Sequence, residues 1–95
     1  MKANANISIQ VLPMVQDYVP IIDKAIELIA ASGVKYVVGP METTMEGDLD
    51  RLMEIALAVQ KLCIQEGAGE VVSVIKSIYS PQGVLSIEEK TDKYQ

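Results

Sequence analysis

Histidine, tryptophan and phenylalanine are all missing from this 95-residue chain. Without histidine, a His-based acid–base pair, a Ser–His triad and the common zinc sites are excluded. Without Trp and Phe, any aromatic contact to a ligand falls to Tyr18, Tyr36, Tyr79 or Tyr94. The single cysteine, Cys63, cannot close an internal disulfide, which fits a reducing cytoplasm. Eight basic residues stand scattered against thirteen acidic ones, for a net charge of −5. No cluster of Lys and Arg therefore exists to neutralise a nucleic-acid backbone. Apolar runs fall well short of the roughly 20 residues that a membrane span needs. The N-terminal Met1-Lys2-Ala3-Asn4 lacks the apolar region of a secretory signal. A cytoplasmic protein is expected, with neither nucleic acid nor membrane among its partners.

What is present is a hydrophobic fraction of 49%, enough to build one modest core over residues 1–95 as a single domain. From Ala5 to Leu12, Ile7, Ile9 and Val11 alternate with Asn6, Ser8 and Gln10, the period of a half-buried strand that Pro13 ends. From Asp17 to Ser32 the period becomes helical. Asp17 is the expected N-cap, Ile22, Ala25, Ile26 and Ile29 the apolar stripe, and Ser32-Gly33 the stop. Val34–Val38 and Glu42–Glu46 form two further strands joined around Gly39-Pro40. Asp48 caps a second helix, Leu49 to Glu66, whose buried stripe is Leu52, Ala56, Val59 and Cys63, with Leu49, Met53 and Leu62 beside it. Glu70–Tyr79 is a fourth strand, apolar on both faces. Ser80-Pro81-Gln82-Gly83 suits a type I turn, and Val84-Leu85 a strand stub. Ser86 and Glu89 have capping-box spacing for a short helix, Ile87 to Tyr94, anchored by Tyr94.

The order β-α-β-β-α-β plus a terminal helix is a ferredoxin-like α+β sandwich: an antiparallel four-stranded sheet with two helices on one face. Its other face would show Ser8, Gln10, Leu12, β-branched residues and Lys76. Contiguous apolar surface of that kind marks an interface, so a homo-oligomer, dimer or tetramer, is expected.

Three stretches carry a resemblance. ISIQVLP near the start, SGVKYVVGPMETTMEGDLDRLMEI in the middle and IEEKTDKY near the end closely resemble the thiamine-binding protein family, related to the YkoF-like proteins. Gly39-Pro40, Thr43-Thr44 and Glu46-Gly47 are its most specific part. The resemblance implies a ferredoxin-like domain assembling into dimers and tetramers, and cytoplasmic binding of thiamine or its hydroxymethylpyrimidine portion, without catalysis or a cofactor.

The residues suit that chemistry. An aminopyrimidine presents a donor amine beside ring-nitrogen acceptors, and a threonine hydroxyl both donates and accepts. Strand parity puts Thr44 and Glu46 on one face and Thr43 on the other, so one threonine reaches a given ligand and the other packs in the sheet. Glu46 can accept from the amine and offset a thiazolium charge, or it serves as a helix-start carboxylate; Glu42 reads as a solvent-facing loop residue. Ser8 and Gln10 either contact ligand or bond across an interface. Lys76 suits a phosphate or carboxylate, or pairs with Glu46 across the interface. Tyr36 and Tyr79 either stack on a heteroaromatic ring or are ordinary strand tyrosines, and Cys63 is a small core residue. Two rival readings stand beside this one: an interaction domain without small-molecule ligand, and a carboxylate–metal enzyme built on Glu46, Asp48 and Asp50.

Overall fold

The computed structural model describes residues 2–95. Strand β1 (Ala5–Pro13) leads to helix α1 (Val19–Ala31), then β2 (Lys35–Val38), β3 (Thr43–Gly47), helix α2 (Leu49–Gln65) and β4 (Val71–Tyr79). A short helix α3 (Ile87–Thr91) follows and runs into a 3₁₀ turn at Asp92–Tyr94. The sheet order is β2-β3-β1-β4 with every pairing antiparallel, the ferredoxin-like arrangement.

The alternation of β1 sorts the two faces. Ala5, Ile7 and Ile9 are buried in a core with Ala25, Ile29, Met45, Leu52, Ile55, Ala56 and Val59, contributed by both long helices and by β3. Asn6, Ser8 and Gln10 point the other way. Strand β1 runs through Pro13, one residue beyond the expected end, because Pro13 still lies opposite Val71 on β4. Pairing with β3 has already stopped at Ile9, so no partner on that side asks Pro13 for its missing N–H.

Helix α1 begins later than Asp17 predicts. Tyr18 is the N-cap, without a side-chain cap, and its carbonyl accepts from the N–H groups of both Ile21 and Ile22 at 3.0 Å. An N-cap side chain serves the N–H two or three positions on, and three positions after Asp17 is Pro20, which has none. The helix buries Ile21, Ala25 and Ile29, while Ile22 and Ile26 are only half-buried. It ends at Ser32, followed by Gly33 at φ 83, a left-handed conformation that favours glycine.

In α2 the stripe is Leu52, Ile55, Ala56, Val59 and Cys63. Ile55 belongs to it, whereas Met53, expected beside it, is exposed. Burial raises the pKa of the Cys63 thiol, as suits a core residue. The N-cap is Asp48, whose carboxylate accepts from the Arg51 N–H at 3.2 Å. Asn4 completes it: its Oδ1 accepts from the Leu49 N–H at 2.8 Å and its Nδ2 donates to Asp48 at 3.2 Å. Asp48→Ala should lower stability by about 1 kcal/mol in urea unfolding, the usual loss of an N-cap.

After β4, the Gly83 N–H donates to the Ser80 carbonyl at 2.9 Å and closes the expected turn. Val84 and Leu85 form no strand; the Val84 N–H donates to the Ala3 carbonyl and the Leu85 carbonyl accepts from Asn6 Nδ2 at 3.0 Å. The chain thus folds back over one end of the face opposite α1 and α2. Ser86 and Glu89 make the full capping box, and Ile87, not Tyr94, anchors α3: Ile87 is 8% exposed and Tyr94 76%.

Candidate ligand-binding site

The strand register lays one row of side chains across the open face: Val37 on β2, Thr44 on β3, Ser8 on β1 and Lys76 on β4. The β2–β3 connection brings a carboxylate onto this row. The Gly39 N–H donates to the Glu42 carbonyl at 2.9 Å, and a Cβ on Gly39 would stand 2.9 Å from that same oxygen. Glycine there lets the connection close tightly enough to set Glu42 immediately before β3, on the parity of Thr44.

Glu42 is the centre of the cluster. Its Oε2 accepts a hydrogen bond from Ser8 Oγ and pairs with Lys76 Nζ at 2.9 Å. Ser8 Oγ lies 3.2 Å from Thr44 Oγ1. The Ser8 hydroxyl first, and then the Lys76 ammonium, hold the Glu42 carboxyl below the ordinary range against a smaller opposing effect of burial. A recess of about 300 Å³ opens here, lined by Asn6, Ser8, Glu42, Thr44, Lys76 and Lys90 among others. It offers an anionic acceptor, two hydroxyls that donate or accept, and ammonium donors, a set that complements the edge of an aminopyrimidine.

The family model described as thiamine-binding protein matches residues 7–95. The chain belongs to the thiamine-binding protein family. A UPF0045 protein of Clostridium perfringens is 50% identical to it over 92 residues, covering 95% of this chain and 96% of that protein. Among solved structures, a DUF77 domain from Bacillus cereus is 41% identical and superposes with a TM-score of 0.91, over 100% of this chain and 93% of that one. A Thermotoga maritima protein provisionally assigned to thiamine biosynthesis or salvage is 36% identical with a TM-score of 0.86, over 97% of this chain and 99% of that one.

In this member of the thiamine-binding family, the structure divides the residues singled out from sequence. Ser8, Thr44 and Lys76 gather around Glu42, and Gln10 follows on the same face, opposite Val74. Thr43 and Tyr36 lie on the helix-facing side, Thr43 buried opposite Ile9 and Tyr36 opposite Met45, so neither shares the face of the recess. Within the chain, Lys76 pairs with Glu42. Tyr79 also falls on the helix-facing parity, opposite Ala5. Glu42, read as a solvent-facing loop residue, is the correction of most consequence. Its spacing of two and four from Thr44 and Glu46 was the available signal, obscured by the adjoining Gly39-Pro40.

Glu46 has a different partner from those expected. It is on the open face, but its Oε1 accepts from the Ile87 N–H at 2.7 Å and its Oε2 stands 3.5 Å from Lys35 Nζ. Lys35 also bonds Glu88, and that hydrogen bond is the main cause of its raised pKa. Glu46 therefore ties α3 to the sheet. Glu46→Ala should speed hydrogen exchange of the amides from 85 to 91, with a loss of about 1–3 kcal/mol as the Ile87 N–H is left without its charged acceptor. Glu46, Asp48 and Asp50 do not converge, and among the described residues no group of three or more His, Cys, Asp or Glu side chains is placed to hold a metal ion.

Proposed function

We propose that this chain is a non-catalytic binding protein that holds thiamine, or its hydroxymethylpyrimidine portion, in the recess around Glu42 at an interface between subunits. The observation that carries this reading is the Ser8–Glu42–Lys76 arrangement, with Thr44 beside it. Glu42 is ionised and already oriented, so it accepts from the exocyclic amine with little reorganisation. Ser8 and Thr44 meet the neighbouring ring nitrogens. Family membership and the thiamine-related assignment of the Thermotoga maritima protein support the ligand class.

The subunit interface is supported by Leu12, Val37, Val72, Val74 and Ile78, all exposed large apolar residues on the open face. A second subunit covering that face would also cover the recess and raise the value of its polar contacts by excluding water. The cytoplasm fits a lone, buried cysteine, and no helix among the described residues is long and apolar enough to cross a membrane.

Isothermal titration with thiamine, hydroxymethylpyrimidine and thiamine phosphates is the test. Saturable heat with at least one is expected; none with any of them sinks the binding role. Sedimentation as a dimer or tetramer is expected, and a clean monomer would remove the interface from the proposal. Assembly without any ligand heat would favour the interaction-domain reading instead.

A further inference from the structure

Three charged groups line the recess, one carboxylate and two ammonium groups: Glu42, Lys76 and Lys90. The recess thus carries a surplus of one positive charge in a chain whose net charge is −5. Lys76 is compensated, its ammonium 2.9 Å from Glu42. Lys90 is not: the ion pairs among the described residues engage Lys35, Arg51 and Lys76. The backbone that carries Lys90 is held in place, because α3 is tied down at Ile87 by Glu46 and at its start by the Ser86–Glu89 capping box.

Resting on the binding role above, we propose that the recess selects a phosphorylated aminopyrimidine over its unphosphorylated form, with Lys90 as the specificity-determining residue. A purely cationic ligand finds one carboxylate there but also two ammonium groups. A pyrimidine phosphate monoester instead brings an amine for Glu42 and a charge of about −1.5 to −2 for the ammonium side. Glu42 reads the ring and Lys90, with Lys76, reads the phosphate. Charge-assisted bonds to phosphate oxygens are among the stronger polar contacts, and an ammonium binds phosphate as a point charge with little demand on angle.

The experiment is titration calorimetry of the intact protein with hydroxymethylpyrimidine and its monophosphate, and in parallel thiamine and thiamine monophosphate. Within each pair the phosphate ester should bind about tenfold tighter at low salt, and the advantage should shrink as ionic strength shortens the range of the attraction. Lys90→Gln should remove most of that advantage, and Lys90→Arg should restore it. Lys61→Gln, which removes an exposed ammonium on α2, should leave the ratio unchanged. Equal affinity within both pairs, or an equal loss of the ratio in Lys61→Gln and Lys90→Gln, overturns the phosphate selectivity while leaving the binding role intact. Absence of heat with all four ligands overturns both.

Discussion

Glu42→Ala is expected to weaken binding of the pyrimidine ligand by about 10- to 100-fold, the worth of one to two charge-assisted hydrogen bonds. Titration calorimetry against wild type reads this directly, and an unchanged affinity would remove Glu42 from the site. On the proposed reading the variant loses the acceptor for the ligand amine, and it leaves the Ser8 hydroxyl and the Lys76 ammonium without their shared partner. Its fold should survive, since Glu42 belongs to a connection and not to the core. The same carboxylate predicts an acid limit. Its pKa is lowered in the folded state, so its contribution to stability is fully present above the unfolded-state value of about 4.3 and is lost as pH falls through the lower folded value. For unphosphorylated thiamine, affinity should decline over that same acidic window and stay flat from there to neutrality, whereas a phosphate ester adds its own titration at about pH 6. Weakening that sets in near neutral pH would mean that another group controls binding.

Ile7→Ala should have the largest effect on stability, a loss of about 2–5 kcal/mol by urea unfolding. Ile7 is fully buried on β1, the strand paired on both sides, between Met45 of β3 and Ser77 of β4. Deleting its side chain opens a cavity where sheet and helices meet, and few neighbours can collapse into it. The adjacent Ser8→Ala makes the contrast. Ser8 faces the recess, so its loss should cost stability only about 1 kcal/mol, the net value of one hydrogen bond, while raising the Glu42 pKa toward the ordinary range. Two neighbouring positions should thus separate folding from binding. If Ile7→Ala proves as mild as Ser8→Ala, the central packing has been misread.

The element order, the ferredoxin-like topology and the two-faced β1 were legible from periodicity and punctuation alone, because helix and strand periods, Asp48, Gly33 and the Ser86–Glu89 box act over a few neighbouring residues. Caps failed where a local rule met a local exception, as with Asp17 and Pro20. Strand parity assigned Thr44 and Glu46 to one face, but it could not say which neighbours each would meet there. The pairing of Lys76 with Glu42, of Glu46 with Ile87 and of Asn6 with Leu85 joins residues 34, 41 and 79 positions apart. Such contacts depend on strand register and on the return of the C-terminal segment over the sheet. The stretch between Gly39 and Asp50 was therefore marked as chemically rich by its sequence. Only the tertiary structure decided that Glu42 meets Ser8 and Lys76 in the recess while Glu46 meets the Ile87 N–H, because a carboxylate's partners are set by the donors folded against it.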